Sequence, residues 1–392
     1  MILTNEQEQA LKIILNKYKN HEKYVTICGY AGVGKSTLAK FAIEALDVSP
    51  EKVAYATYTG KAAEVLRKKG NPNAMTLHKL LYDSIPRQGG GFIRIPKKTL
   101  DYDIVLIDEI SMAPKSMLEM LLKHKVFCIF MGDNFQLPQI DKNEAHDFLQ
   151  HPDIFLSTVM RQAAESEIIQ LTMKIRNGED IPFMRGKEVI VAPKAELVTG
   201  HLTWADIIIC ATNKTRHNMN RQKRELLGYS GVLQTGERII VKRNYWEDCD
   251  EDGNALVNGT VGTVANPYES FVRIPSYVKN DRRDLPLIGC IFTPDGGKSF
   301  DTFEIDKDYL LKEEPCVDWR VSYQLGKLKP KIGDILPKQA TYGYALTCHA
   351  AQGSEFDKVL VIEESFPFDK VEHQRWLYTA ATRAAEKLVL VR

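Results

Sequence analysis

The sequence predicts an α/β protein in two halves, with a β-hairpin projecting from the first half and a small antiparallel β-barrel inserted into the second. Three observations predict this. An apolar β-branched run, Val25-Thr26-Ile27, feeds a glycine-rich loop and then a helical pattern, over 24–40 (YVTICGYAGVGKSTLAK). Short buried-strand runs ending in polar residues recur along the chain, at 52–58, 103–110, 126–131, 205–212 and 358–363. Between 236 and 338 the helical pattern gives way to short strands such as 238–241 and 259–264, separated by Asp, Gly, Pro and Asn turns.

Composition bounds the function. The chain has 392 residues, 44% hydrophobic and 26% charged, ordinary for a globular protein. A formal net charge of +1 excludes a strongly basic protein, so any nucleic-acid site is a local groove rather than a global field. The seven cysteines stand apart with no C-x-x-C pair, which gives no zinc signature and no closed disulfide framework and fits a reduced, cytoplasmic setting. The first twenty residues carry two early glutamates and read as an amphipathic helix, not a signal peptide, and no long uncharged apolar run predicts a membrane span.

Taken in order, Thr4 and Gln7 are spaced as a helix N-cap and its N3 partner. Gln7 serves either that capping box or an adenine edge, which needs the donor and acceptor of one amide together. Gly29, Gly32, Gly34, Lys35 and Ser36 form G-x-x-x-x-G-K-[ST] in its strand–loop–helix context, with Thr37 following. The loop amides and the helix N-terminus suit a polyphosphate, Lys35 its β/γ-phosphates, and the Ser36 hydroxyl a Mg²⁺ ion. The segment 52–58 (KVAYATY) predicts a strand running into Thr59-Gly60-Lys61 at the start of a helix, and Thr76 and His78 sit at the start of another. Strand ends that open into helix starts are where α/β sheets bind ligands.

The segment 83–99 (DSIPRQGGGFIRIPKKT) predicts a hairpin with a glycine tip, or else a surface loop. The run 103–110 (DIVLIDEI) delivers Asp108 and Glu109 at a strand end on the phosphate-loop edge. There Asp108 suits Mg²⁺, and Glu109 suits orienting and deprotonating a water. The strand 126–131 leads to Gly132-Asp133-Asn134-Phe135-Gln136-Leu137-Pro138, where Gln136 can report a γ-phosphate and Asp133 can support the metal's water shell. From Ser157 the α/β pattern restarts without a second phosphate loop. A helix carrying Arg216, Arg221, Lys223 and Arg224 follows the strand at 205–212 and reads as a solvated face.

Together these motifs resemble those of superfamily 1 helicases, in the 5′→3′ branch that includes the RecD-type enzymes and the phage helicase Dda. The likeness spans almost the whole chain and keeps motif order: the phosphate loop, T-G-K-A-A, D-E-I-S, G-D-x-x-Q-L-P, the arginine after the domain break, A-L-T-x-H-x-x-Q-G-S-E-F and Y-T-A-x-T-R-A. It implies two RecA-like P-loop NTPase cores with parallel sheets, 1–82 with 100–155 and 156–235 with 339–392. It implies a pin hairpin at 83–99 and an SH3-like barrel at 236–338. It implies ATP and Mg²⁺, single-stranded DNA and single-strand/duplex junctions as partners, a monomer, and roles in replication, repair or recombination with the proteins of those pathways.

Residue by residue, the resemblance assigns adenine to Gln7 and hydrolysis to Lys35, Ser36, Asp108, Glu109 and Gln136. Arg161 and Arg383 become the γ-phosphate arginines of the second core, and Glu355 lies near the ribose. Thr59, Lys61, Thr76, His78, Asn213, Thr347 and His349 become DNA contacts, and Phe92 the wedge of the pin, by analogy. Met160 stands where many members place an adenine-stacking aromatic. An RNA helicase of the same superfamily and a nucleotide-gated loading or translocating module without unwinding remain open alternatives.

Overall fold

The protein is described from a computed structural model. It covers residues 3–68, 70–71, 73–86, 92–138, 141–159, 164–249, 255–274, 284–314, 337–367 and 369–392. The chain divides into two compact units. The first holds 1–82, 96–213 and 347–392, and the second 83–95 and 214–346.

The first unit contains a six-stranded sheet in the order Met75–Thr76, Val53–Thr57, Ile104–Ile107, Phe127–Gly132, Tyr24–Gly29, Ile154–Leu156. Every pairing in it is parallel. Ile104–Ile107 and Phe127–Gly132 are buried along their whole length, as strands covered on both faces must be. Side-chain alternation splits the core in two. Val25, Ile27, Leu106, Ile129 and Met131 meet the helices Asn5–Lys19 and Lys35–Leu46 through Ala10, Ile14, Leu38 and Ala42. Cys28, Ala56, Val105, Ile107 and Phe130 meet the helices Leu77–Leu81 and Lys115–Leu121 through Leu77, Leu80, Leu118 and Leu121.

The register sets Cys28 beside Gly132 and Ala56 beside Ile107. The carboxyl ends of these strands therefore share one edge, where parallel sheets place their ligands. The α/β class and the parallel sheet expected from the strand–loop–helix runs are what the structure contains.

The same unit holds a second sheet. Its strands lying wholly within the unit run Ile207–Cys210, Phe356–Ile362, Ala384–Val391, Val189–Ala192, all parallel, and Met184–Arg185, antiparallel. The helix Glu167–Asn177 stops at Gly178 with φ of 69°, and Lys370–Ala381 is capped by Asp369 accepting from the Val371 and Glu372 amides. Among the described residues no helix is long and apolar enough to cross a membrane.

The second unit carries a five-stranded antiparallel sheet, in the order Phe300–Asp306, Asp284–Pro294, Val261–Arg273, Arg238–Val241, Ala340–Tyr342. An isolated bridge between Ile305 and Lys338 brings the two ends of this order together. Leu233, Ile239, Val264, Ile288, Phe292 and Phe303 fill the interior, the two phenylalanine rings 4.8 Å apart. The strands Val261–Arg273 and Asp284–Pro294, 13 and 11 residues long, exceed the short strands expected. A register shift between Ala265 and Tyr268, with Asn266 at φ of 49°, lets Pro267 sit inside the longer one. Tyr82–Pro86 and Phe92–Pro96 form a separate two-stranded sheet, as expected of a hairpin; its tip at 87–91 lies outside the described residues.

The basic helix Asn213–Leu226 departs from the solvated face expected of it. Arg216 and Lys223 are buried, Arg216 paired with Glu313, and Arg224 grips the fully buried Glu237. Unpaired burial of such charges would be prohibitive, and these carboxylates lie far off in sequence.

Candidate nucleotide site

The strand Tyr24–Gly29 ends beside Leu156, and a Cβ on Gly29 would stand 2.7 Å from the Leu156 carbonyl oxygen, so only glycine fits. Gly34, at φ of 81°, precedes the helix Lys35–Leu46 without a side-chain cap. The first amides of that helix are thus left to an anion, with the helix dipole behind them. Lys35 Nζ donates to the carbonyl oxygens of Gly29 and Tyr30, at 2.9 and 2.8 Å, which holds the ammonium over the loop.

A cleft of about 590 Å³ opens at this edge. Ser36, Thr37, Asp108, Glu109, Glu355 and Arg383 are among its lining residues, together with Tyr55, Thr57 and Gly353. Asp108 accepts from the Glu109 amide at 2.9 Å. Glu109 itself sits at φ of 52°, a left-handed conformation that costs a residue with a side chain about 1 kcal/mol and is met at sites where a side chain must be aimed. Burial pushes its carboxyl above the ordinary range. The cations Arg383 and Lys35 oppose that shift, while Asp108 and Asp133 add to it.

Arg383 is buried and held by its own backbone surroundings: Nε donates to Thr379 O at 3.1 Å, one terminal nitrogen to Ser354 O at 3.3 Å and the other to the Thr382 hydroxyl at 3.1 Å. Gln136 is buried as well, and among the described residues its side-chain oxygen has no hydrogen-bond partner. Such an orphaned acceptor is costly unless a ligand or water completes it.

Gln7 closes the capping box, one of the two roles its sequence position left open, and is also tied to the phosphate loop. Its side-chain oxygen accepts from the Thr4 amide at 3.1 Å and its own amide donates to Thr4 Oγ1, closing the capping box. Its Nε2 meanwhile donates to Val33 O in the phosphate loop at 3.3 Å. Both carboxylate oxygens of Asp133 are engaged, by Arg176, the Phe135 amide and Tyr378. Met160 and Arg161 lie outside the described residues.

The expected DNA contacts sit at strand ends and helix starts. Thr59 Oγ1 accepts from the Ala62 amide at 3.2 Å, and Thr76 Oγ1 from the Lys79 amide at 3.2 Å, so each caps the helix it opens. Lys61 lies in the first turn of the former helix. The His78 ring lies between those of Tyr58 and Tyr82, at 6.0 and 6.2 Å. Asn213 begins the helix Asn213–Leu226, and Thr347 precedes the short helix Cys348–Ala351. Burial holds His349 below the ordinary imidazole range, which makes it neutral near pH 7. Phe92 opens the second hairpin strand, and its side chain lies outside the described residues.

Reading by sequence missed Arg176 and Tyr30, and gave Tyr378 no role of its own. Arg176 looks like an ordinary C-terminal helix cation before Asn177-Gly178, although it is 11% exposed and paired with Asp133.

Comparison with known proteins finds helicases among the relatives of this chain. Residues 2–189 match a family model described as an AAA domain, and residues 342–391 one described as a UvrD-like helicase C-terminal domain. The chain is 30% identical over 191 residues to the ATP-dependent DNA helicase dda of Enterobacteria phage T4, covering 45% of this chain and 43% of that one. It is 32% identical over 396 residues to the ATP-dependent RecD2 DNA helicase of Deinococcus radiodurans, covering 97% of this chain and 48% of that one. The chain thus spans about half the length of these curated relatives. The crystal structure of a Bacteroides Pif1 helicase in complex with ADP-AlF3 and ssDNA shares the fold with a TM-score of 0.53 at 19% identity, over 100% of this chain and 92% of that one.

Proposed function

Since the chain belongs to the RecD-, Dda- and Pif1-like branch of the superfamily 1 helicases, we propose that it is an ATP-hydrolysing DNA helicase that moves 5′→3′ on single-stranded DNA and separates the duplex ahead. One observation carries the reading. One cleft gathers Ser36 and Thr37 from the helical end of the phosphate-loop motif, the Asp108–Glu109 pair and Arg383, which comes from the helical end beside the second sheet.

In this reading the loop amides and Lys35 hold the β- and γ-phosphates of ATP, Lys35 exchanging its bonds to Gly29 and Tyr30 for phosphate oxygens. Ser36 and Asp108 would hold Mg²⁺, which supplies positive charge against the charge developing on the phosphates. Glu109 orients the water and takes its proton, and the neighbouring Arg383 and Lys35 favour the ionised form that burial opposes. Arg383 stabilises transition-state charge, and Gln136, whose side-chain oxygen is unpartnered among the described residues, reads the γ-phosphate and its water. Arg161 completes the arginine set by family position. Gln7 serves adenine and Glu355 the ribose.

The parallel first sheet is the first RecA-like core and the second parallel sheet the other. Residues 83–99 are the pin, and the sheet whose ends meet at Ile305 and Lys338 is the SH3-like barrel. DNA runs over Thr59, Lys61, Thr76, His78, Asn213, Thr347 and His349, whose hydroxyls, amide and imidazoles suit backbone contacts without a base code. Phe92 is the wedge. The enzyme works as a cytoplasmic monomer on single strands and junctions, in replication or recombination.

Replacing Lys35 with Ala should abolish ATP hydrolysis while binding to a fluorescent single-stranded DNA oligonucleotide stays measurable. Normal turnover by that variant would remove the central assignment. DNA oligonucleotides should stimulate hydrolysis well beyond RNA of the same sequence; equal or greater stimulation by RNA would move the substrate to RNA.

A further inference from the structure

The loop that carries Gln136 is fastened at both ends by groups outside the chemistry above. At its start, Asp133 is 1% exposed. Its Oδ1 accepts from Arg176 at 2.8 Å and from the Phe135 amide at 3.0 Å, and its Oδ2 accepts from the Tyr378 hydroxyl. The same guanidinium donates to Asn134 Oδ1 at 2.7 Å. At the loop's end, the Leu137 amide donates to Thr379 Oγ1 at 2.9 Å and Leu137 O accepts from Gln352 Nε2 at 2.8 Å.

The fastening extends to the phosphate loop. The Arg176 guanidinium carbon lies 4.2 Å from the centre of the Tyr30 ring and 4.8 Å from that of Phe135. The Tyr378 hydroxyl accepts from the Ala31 amide at 3.4 Å. Arg176 belongs to the helix Glu167–Asn177 and Tyr378 to the helix Lys370–Ala381, which ends two residues before Arg383. The two helices pack together, and Gln374 donates to Ile175 O at 2.7 Å.

We propose that Arg176 and Tyr378 are positioning residues, locking the Gln136 loop and the entry of the phosphate loop to the helix that delivers Arg383. Asp133 is the shared acceptor through which both act. The geometry asks for these residue types. A lysine carries the charge but lacks the fork that reaches Asp133 and Asn134 together and the planar face that stacks on Tyr30. A phenylalanine at 378 keeps the packing against Phe135 but removes the donor to Asp133. The role rests on the ATPase reading of the cleft, since it is Gln136 and Arg383 that the lock places.

The test compares Arg176→Lys and Tyr378→Phe with the parent chain in two measurements. Hydrogen exchange of the unliganded proteins reads the amides of 29–34 and 133–137. Steady-state hydrolysis with a single-stranded DNA oligonucleotide reads kcat and KM for ATP. Both variants should exchange faster in both loops and lose about tenfold in kcat, with KM within about twofold, as for loss of coupling rather than of binding. Unchanged exchange in both loops overturns the proposal, as does a raised KM at unchanged kcat, which would place these residues in nucleotide binding. If Arg176→Lys fails to fold, Tyr378→Phe decides alone, since it removes a single atom. A parent chain without ATPase would sink the functional reading, and the exchange comparison would still decide whether the lock exists.

Discussion

Glu109 combines a left-handed backbone, a raised carboxyl and two neighbouring cations, and these give opposite signs to stability and activity. A carboxyl whose folded-state value lies above its ordinary 4.5 detracts from stability once the pH is high enough for the unfolded chain to ionise it. Folding is unpenalised below that value and loses stability as pH rises through the raised one. Glu109→Gln should therefore raise the thermal midpoint at neutral pH and lower kcat for ATP by roughly 10²-fold or more. The midpoint gain should shrink as pH falls toward the ordinary carboxylate value, and a gain constant across the range would contradict this account. Ser36, Asp108, Glu109 and Arg383, which line the cleft, were legible one at a time, because a phosphate-loop motif and a strand-end acid pair are short-range patterns. Asp133 was not legible in this way. Its partners are Arg176 and Tyr378, far along the chain, and nothing near Asp133 announces that both its oxygens are taken.

At the scale of elements, the buried parallel strands announced themselves through apolar runs that end in polar loops. Strand limits moved by one to three residues; the strand read at 126–131, for example, is Phe127–Gly132, and that read at 103–110 is Ile104–Ile107. The long antiparallel ribbon of the second unit was harder, because Asn266, Pro267 and Pro286 break the alternation that marks a strand. A bulge absorbs the first two. Close backbone approach sets the firmest predictions here. A Cβ on Gly262 would stand 2.2 Å from Thr293 O, between paired strands that cannot both yield. Gly262→Ala should lower stability by roughly 1–3 kcal/mol in urea unfolding. Gly29→Ala, against Leu156 O, should act likewise on the first sheet and weaken nucleotide binding as well. An unchanged urea midpoint in either variant would contradict the packing described.

For the molecule as a whole, a net charge of +1 leaves no general attraction for nucleic acid. Binding to single strands should therefore come from local contacts, fall with salt and show little base preference. An affinity independent of salt would contradict this. Movement along DNA is the claim on which all of this converges, and the most direct test is strand separation with ATP and Mg²⁺ on two partial duplexes, one with a 5′ single-stranded tail and one with a 3′ tail. The account predicts that only the 5′-tailed duplex opens. Opening of the 3′-tailed duplex alone, or ATP hydrolysis with neither duplex opened, would contradict it.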